Sequence, residues 1–166
     1  MIIGFMPVII LFCTPTASAQ FSHGRLQATG LTCALCSKSI HQALTKLPFI
    51  DSVQPELKTS SFELRFKGQQ PVSIPAIRAA VEDAGFFIGG LTLNLSHSLS
   101  DQERRSKQFS FGPDVFQFLD EPKAGEPLQV IGKGFLSEKD FKRMLTRYAK
   151  EIKSSGSHIL LIPIKN

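Results

Sequence analysis

Cysteine is scarce in this sequence, with three residues among 166, at Cys13, Cys33 and Cys36. A small protein that is held together by disulfides needs more bridges than three cysteines can form, so a disulfide-based scaffold is excluded. The composition is instead that of a globular protein with an ordinary core, at 42% hydrophobic and 20% charged residues. Cys33 and Cys36, which two residues separate, indicate a local site.

Concentrated charge and catalytic motifs are also missing. The net charge is +5, but the excess of Lys and Arg forms no block and no basic stripe with interleaved aromatic residues. We therefore expect no nucleic-acid binding. The sequence has no ordered Ser/His/Asp set, no phosphate-binding loop and no paired-carboxylate site, so we expect that the protein is not an enzyme.

Long hydrophobic runs are limited to one, at residues 2–13, and it is short for a membrane span, which needs ~20 apolar residues. Ala17 and Ala19 then form the A-x-A pattern of a secretory cleavage site. We therefore predict a signal peptide over residues 1–19, export to the periplasm or the cell exterior, and no transmembrane segment in the mature chain. No Lys or Arg precedes the apolar run, which is atypical. A lipoprotein anchor at Cys13 is the alternative, and bulky Phe12 argues against it.

Residues 20–96 have the periodicity of one small α+β domain. Strands are predicted over residues 25–29, 53–58, 60–67 and 86–95, and helices over 37–47 and 74–84. Pro75 suits the first turn of the second helix, and Gly85 suits the position that follows its end. The order β-α-β-β-α-β predicts a ferredoxin-like fold, with two helices on one face of a four-stranded antiparallel sheet.

Residues 97–108 are polar and are predicted to form a linker. Residues 109–166 then read as a second small α+β unit of the order β-β-β-α-β, whose role the sequence does not reveal. Its helix should run from the cap Ser137 to about Ser154, with a buried stripe of Phe141, Leu145, Tyr148 and Ile152. The helix is also basic, and we expect at most weak docking to an acidic surface through it.

The Cys pair falls where the first strand passes into the first helix. Cys33 should lie in the loop and be the more exposed thiol, whereas Cys36 should lie in the first helical turn and be partly shielded. The positive end of a helix dipole favours the thiolate form, which is the form that binds metals. Thiolate pairs select Cu(I), Ag(I) or Hg(II); Zn(II) remains possible, although a closed zinc site needs four ligands.

The segment Gly30-Leu31-Thr32-Cys33-Ala34-Leu35-Cys36 resembles the Gly-Met-Thr-Cys-x-x-Cys motif of heavy-metal-associated domains, which occur in copper chaperones, copper pumps and periplasmic mercury-binding proteins. The resemblance extends from Arg25 to about Leu95 and includes residues 79–86, which are similar to the family's Ala-Ile-Glu-x-Ala-Gly-Tyr/Phe. It implies that Cys33 and Cys36 bind the metal and that Phe86 lies near the metal loop. Leu31 departs from the family's Met, which packs beneath the loop and is not a ligand.

Together with the predicted signal peptide, the resemblance implies an exported Cu(I)-binding protein that sequesters the ion or exchanges it with a metal-donor or metal-acceptor protein. Two other interpretations of Cys33 and Cys36 stay open. Exported C-x-x-C pairs are often thiol–disulfide redox centres, although Thr32 stands where such proteins usually have an aromatic residue. The pair could also be merely structural.

Overall fold

The computed structural model describes residues 20–31, 34–68, 70–111, 114–156 and 158–164. The predicted signal peptide and Cys13 lie outside these residues, as do Thr32 and Cys33. Within the described part of the chain, no helix is long and apolar enough to cross a membrane.

The first half of the chain has the predicted order of elements. The strands are β1 (Phe21–Thr29), β2 (Ile50–Glu56), β3 (Ser61–Phe66) and β4 (Phe87–Leu95), and the helices are α1 (Ala34–Thr45) and α2 (Ile74–Asp83). Local signals explain α2, because the Ser73 side chain accepts a hydrogen bond from the Ala76 N–H at its start. At its other end, Gly85 adopts the left-handed φ of 87° that glycine tolerates best.

These elements form the predicted antiparallel sheet in the order β2-β3-β1-β4. Alternate residues of the strands face α1 and α2, and the largest buried cluster includes Leu26, Phe62 and Leu64 from the sheet with Ile40 and Val81 from the helices. The other face of this half is polar, with an ion pair between Arg25 and Glu63. The ferredoxin-like α+β fold is therefore confirmed.

The second half of the chain extends the same sheet. It contributes β5 (Gln108–Phe111), β6 (Asp114–Phe118), β7 (Leu128–Ile131) and β8 (Ile159–Pro163). Strand β7 pairs with β4 at Thr92–Gln129 and Leu93–Leu128, and the described strands form one sheet in the order β2-β3-β1-β4-β7-β8-β6-β5. The unit predicted over residues 109–166 thus continues the first domain edge to edge.

A second, smaller buried cluster shows where the remaining helices pack. On β7, Val130 belongs to the large cluster, whereas its neighbour Ile131 belongs to the small one with Tyr148 and Leu160. Successive residues of a strand point to opposite faces. The helices α4 (Glu138–Arg147) and α5 (Ala149–Ser154) therefore lie on the face of the sheet opposite α1 and α2.

Residues 97–108 differ from the predicted linker. They contain a short helix, α3 (Asp101–Ser106), and β5 begins at Gln108. Ser100 and Glu103 form a reciprocal capping box, in which the Ser100 hydroxyl accepts from the Glu103 N–H and the Glu103 carboxylate accepts from the Ser100 N–H. Leu99 is buried in the large cluster and ties the segment to the core. The segment was predicted to be a linker because its composition is polar, although Ser100 and Glu103 have the spacing of a capping box.

The single helix predicted from Ser137 to about Ser154 is interrupted at Tyr148, whose backbone φ is −123°. The Tyr148 ring is buried and its hydroxyl donates to the Asp120 carboxylate at 2.8 Å. The predicted stripe also needs correction. Met144, Tyr148 and Ile152 pack in the small cluster at spacings of four, whereas Leu145 lies beside that stripe and is 37% exposed.

Candidate metal-binding site

The candidate metal loop begins directly after the end of β1. Gly30 follows the last strand residue with a left-handed φ of 83°, which turns the chain away from the sheet at little cost for glycine. Leu31 is half-buried and packs against the large core cluster. The residue that departs from the family motif thus anchors the start of the loop in the core.

Cys36 lies in the first turn of α1, as predicted, and is half-buried. It precedes Ser37, which is buried, and Ile40, which is fully buried and holds this helix face against the sheet. Cys36 is disulfide-bonded in the structure. Because Cys33 lies outside the described residues, its pairing with Cys36 as a metal site stays a prediction.

Cys36 lies at the positive end of the α1 dipole, which is the main electrostatic feature of its surroundings. The first turn of the helix contains no acidic residue to offset that dipole, and Lys38, two residues beyond Cys36, is exposed. His41 is half-buried on α1, five residues beyond Cys36, which places it about 140° around the helix. Among the described residues, no three His, Cys, Asp or Glu side chains are grouped so that they could hold a metal ion.

Two large apolar side chains stand exposed at this end of the domain. Leu35, which directly precedes Cys36, is 75% exposed, and Phe87, the first residue of β4, is 68% exposed. Phe87 pairs with Thr29 at the end of β1, and the Thr29 hydroxyl donates to the Phe87 carbonyl at 3.2 Å. Phe86, which the resemblance places near the metal loop, is half-buried and packs against the core, and its role stays a prediction. The sequence pattern did not single out Phe87, because only the strand register decides which of the two side chains faces solvent.

A groove of about 670 Å³ runs beside Phe87, between the first domain and the loop that joins β7 to α4. Arg78 of α2 bridges the two sides. Its guanidinium donates to the Lys133 carbonyl at 3.3 Å and lies 5.5 Å from the centre of the Phe135 ring. No local sequence pattern indicates this groove, because its two walls come from segments that were predicted to be separated by a linker.

The half of the chain that contains Cys36 is similar to known proteins. Residues 25–87 match the heavy-metal-associated domain. The match begins at the predicted Arg25 and ends at Phe87, earlier than the expected Leu95. The matched residues contain the second half of β1, all of α1, β2, β3 and α2, and the first residue of β4, so they include the loop between β1 and α1 and both exposed apolar side chains.

One curated relative is similar to more than half of this chain. The chain is 33% identical over 98 residues to a probable copper-exporting P-type ATPase of Archaeoglobus fulgidus. The alignment spans 57% of this chain but only 12% of the relative, so the two proteins share a small fraction of the ATPase's length.

Solved structures that are similar to part of this chain include a yeast copper transporter domain and a metallochaperone. The yeast copper transporter domain Ccc2a is 25% identical, with a TM-score of 0.36, and the similarity covers 39% of this chain and 88% of that domain. The metallochaperone CopZ is 21% identical, with a TM-score of 0.37, and the similarity covers 40% of this chain and 98% of CopZ.

Proposed function

We propose that this chain is an exported, non-enzymatic protein that binds Cu(I) through Cys33 and Cys36 and either sequesters the ion or passes it to a partner protein. The observation that carries the proposal is the match of residues 25–87 to the heavy-metal-associated domain, with Cys36 half-buried in the first turn of α1. Copper is favoured over other soft metals because the curated relative is named as a probable copper exporter.

The chemistry of the site supports soft-metal binding in the reduced protein. A disulfide presents no thiolate, so Cys36 must first be reduced, with two electrons and two protons supplied by a dithiol donor. Thiolates then form readily at the positive end of α1 and bind Cu(I) with release of their protons. A two-coordinate ion leaves room for a third sulfur, so a partner thiol could accept the ion by ligand exchange. Leu35 and Phe87 would surround that contact with apolar surface.

Metal analysis of the native protein tests this proposal directly. We expect about one copper ion per chain in protein that is purified anaerobically from its own compartment, because two thiolates bind one soft ion. A matched preparation of the Cys36→Ser variant should contain almost no copper. Zinc in place of copper, or equal copper in both preparations, would contradict the proposal.

Export rests on the apolar run at residues 2–13 and on the A-x-A pattern that ends at Ala19. Cleavage after Ala19 would make Gln20 the first residue of the mature protein. The intact mass of the protein from its native compartment measures this, and we expect it to correspond to residues 20–166. A mass that retains residues 1–19, or a lipid on Cys13, would exclude this route.

The second candidate function is thiol–disulfide exchange by the same cysteines, and the disulfide bond of Cys36 favours it. In that reaction a substrate dithiol would lose two electrons and become a disulfide, while the cysteines of this chain become thiols that an external disulfide reoxidises. Oxidation of a dithiol peptide in the presence of an excess of a small external disulfide, with the reaction in the absence of this protein subtracted, distinguishes the two functions. Turnover that survives saturating Cu(I) would favour redox catalysis, and stoichiometric reaction without turnover would favour metal binding.

A further inference from the structure

The helices α4 and α5 have a continuous basic face that the proposed metal site does not use. The helix is interrupted at Tyr148, but Met144 before the break and Ile152 after it pack in the same small cluster as Tyr148, at spacings of four, so α4 and α5 turn the same side to the sheet. The basic face is formed by six exposed side chains: Lys139, Lys142, Arg143, Arg147, Lys150 and Lys153.

These six residues share one side of the helix pair. At about 100° per residue they fall within an arc of roughly 140°, and Met144, Tyr148 and Ile152 lie on the opposite side, where they pack on the sheet. Glu138, Asp140 and Glu151 fall outside the basic arc. From Lys139 to Lys153 the row is about 21 Å long. The basic face is therefore directed away from the core.

Most of this charge has no partner in the part of the protein that the structure describes. Among the described residues, an ion pair involves only one of the six side chains, Arg143, which contacts the Asp140 carboxylate at 2.7 Å. Arg147 lies over the Tyr148 ring, 5.3 Å from its centre. The four lysines have no ion pair or hydrogen bond through their side chains in the described part of the chain, so their ammonium groups are available to an external anion.

We propose that the basic face of α4 and α5 docks the protein on a bilayer surface that contains anionic phospholipid. Clusters of four to eight Lys and Arg on an amphipathic helix have the number of charges that such surfaces attract. Four of the six residues are lysines, and the lysine ammonium group is a point charge on a flexible side chain. It suits a diffuse anionic surface, whereas the planar guanidinium of arginine suits the fixed, paired hydrogen bonds of a protein interface. The apolar side of the helices is buried on the sheet, so docking is electrostatic and does not insert the helices.

Vesicle binding by the full-length protein tests this proposal. We compare vesicles of phosphatidylcholine alone with vesicles that contain about 30 mol% phosphatidylglycerol, at about 0.1 M salt. We expect the anionic vesicles to bind the protein more strongly, and salt at about 1 M to abolish the difference because it screens charges beyond a few ångströms. We attribute any binding to the neutral vesicles to the apolar run at residues 2–13, and we subtract it from the binding to the anionic vesicles.

Two variants with equal changes in net charge separate the basic face from the overall charge. The test variant replaces four lysines of the face: Lys139→Gln, Lys142→Gln, Lys150→Gln and Lys153→Gln. The control variant replaces four exposed lysines elsewhere: Lys46→Gln, Lys58→Gln, Lys107→Gln and Lys123→Gln. We expect the test variant to lose at least about tenfold in affinity for the anionic vesicles and the control to lose much less. Circular dichroism must show that both variants are folded.

Three results would overturn the proposal. The first is equal binding of the wild-type protein to neutral and anionic vesicles. The second is an equal loss in the two variants, because net charge alone would then explain the binding. The third is binding to soluble poly-glutamate without binding to the vesicles, which would identify an acidic protein as the partner of this face.

Discussion

The ring of Phe21 on β1 meets the ring of Phe116 on β6 edge to face, with 5.4 Å between their centres and 78° between their planes. Three strands, β4, β7 and β8, lie between β1 and β6 in the sheet. The sheet must therefore curl so that its two halves share one core. Phe109 completes the contact, stacked on Phe116 with 4.7 Å between ring centres.

The shared core predicts that the two halves unfold together. Tyr148 is the only tyrosine and tryptophan is absent, so tyrosine fluorescence reports on the second half alone, whereas far-ultraviolet circular dichroism reports on both. We expect the two signals to change at the same urea concentration in one transition. Two separated transitions would show that residues 20–96 and 109–166 are independent domains.

Removal of the Phe116 ring should destabilise both halves of the protein. Phe116 is fully buried, so Phe116→Ala should lower the free energy of unfolding by about 3–5 kcal/mol and should shift both signals together. Phe87→Ala is the matched control, since the Phe87 ring is 68% exposed and its removal should change stability by less than about 0.5 kcal/mol. A Phe116→Ala effect confined to tyrosine fluorescence would refute a common core.

Gly24 in β1 is predicted to be intolerant of any side chain. A Cβ atom there would lie 2.8 Å from the Thr92 carbonyl oxygen and 2.9 Å from Cδ2 of Leu93, so neighbouring backbone would have to move. We expect Gly24→Ala to destabilise the protein by about 1–3 kcal/mol in urea unfolding. At Gly90 the nearest atom would be 3.7 Å away, so Gly90→Ala should change stability by less than about 1 kcal/mol. Equal effects of the two substitutions would contradict this packing.

Gln20 is predicted to be a structural residue at the start of the fold. Its buried side chain donates to the Val72 carbonyl at 2.8 Å and accepts from the Val72 N–H at 3.1 Å. Gln20→Ala would leave both backbone groups buried without their partner, which should cost about 2 kcal/mol of stability. The exposed Gln54 is the control, and Gln54→Ala should be nearly neutral. Thermal unfolding of the two variants measures the difference, and a neutral Gln20→Ala would disprove the role.

Tyr148 is predicted to ionise above the usual tyrosine value of about 10. Burial raises the pKa of its hydroxyl, and the hydrogen bond to Asp120 raises it further. Because the raised pKa belongs to the folded state, the stability from this group is complete below about pH 10 and is lost as the pH rises through the folded-state pKa. The ultraviolet absorbance of the phenolate measures the titration without interference from other tyrosines. The Tyr148→Phe variant has no phenol group, so its stability should fall less than that of the wild-type protein as the pH rises above about 10. A titration midpoint at the usual tyrosine value would contradict the prediction.

The first half of the fold was predictable because its signals are local. Phe62, Leu64 and Phe66 alternate along β3 and are all buried, and Ser73 and Gly85 lie at the ends of α2 where their chemistry places them. The half-burial of Cys36 also followed, since its position four residues before Ile40 puts it on the same side of α1.

The second half was less predictable because its organisation depends on contacts between distant segments. No local pattern at Leu128 or Gln129 indicates that they pair with β4, and the polar stretch before β5 hid the capping box of Ser100 and Glu103. Nothing in the sequence near Tyr148 marks the helix break, which accompanies its contact with Asp120. The site was predicted by its motif, whereas the exposure of Phe87 and the groove beside it required the strand register.

Cu(I) competition against a chelator, on the reduced full-length protein, tests the central claim most directly. The account predicts that the wild-type protein and the Cys13→Ser variant each retain about one Cu(I) ion, and that the variant with both Cys33→Ser and Cys36→Ser retains none. Retention of Cu(I) by the double variant at the wild-type level would contradict it.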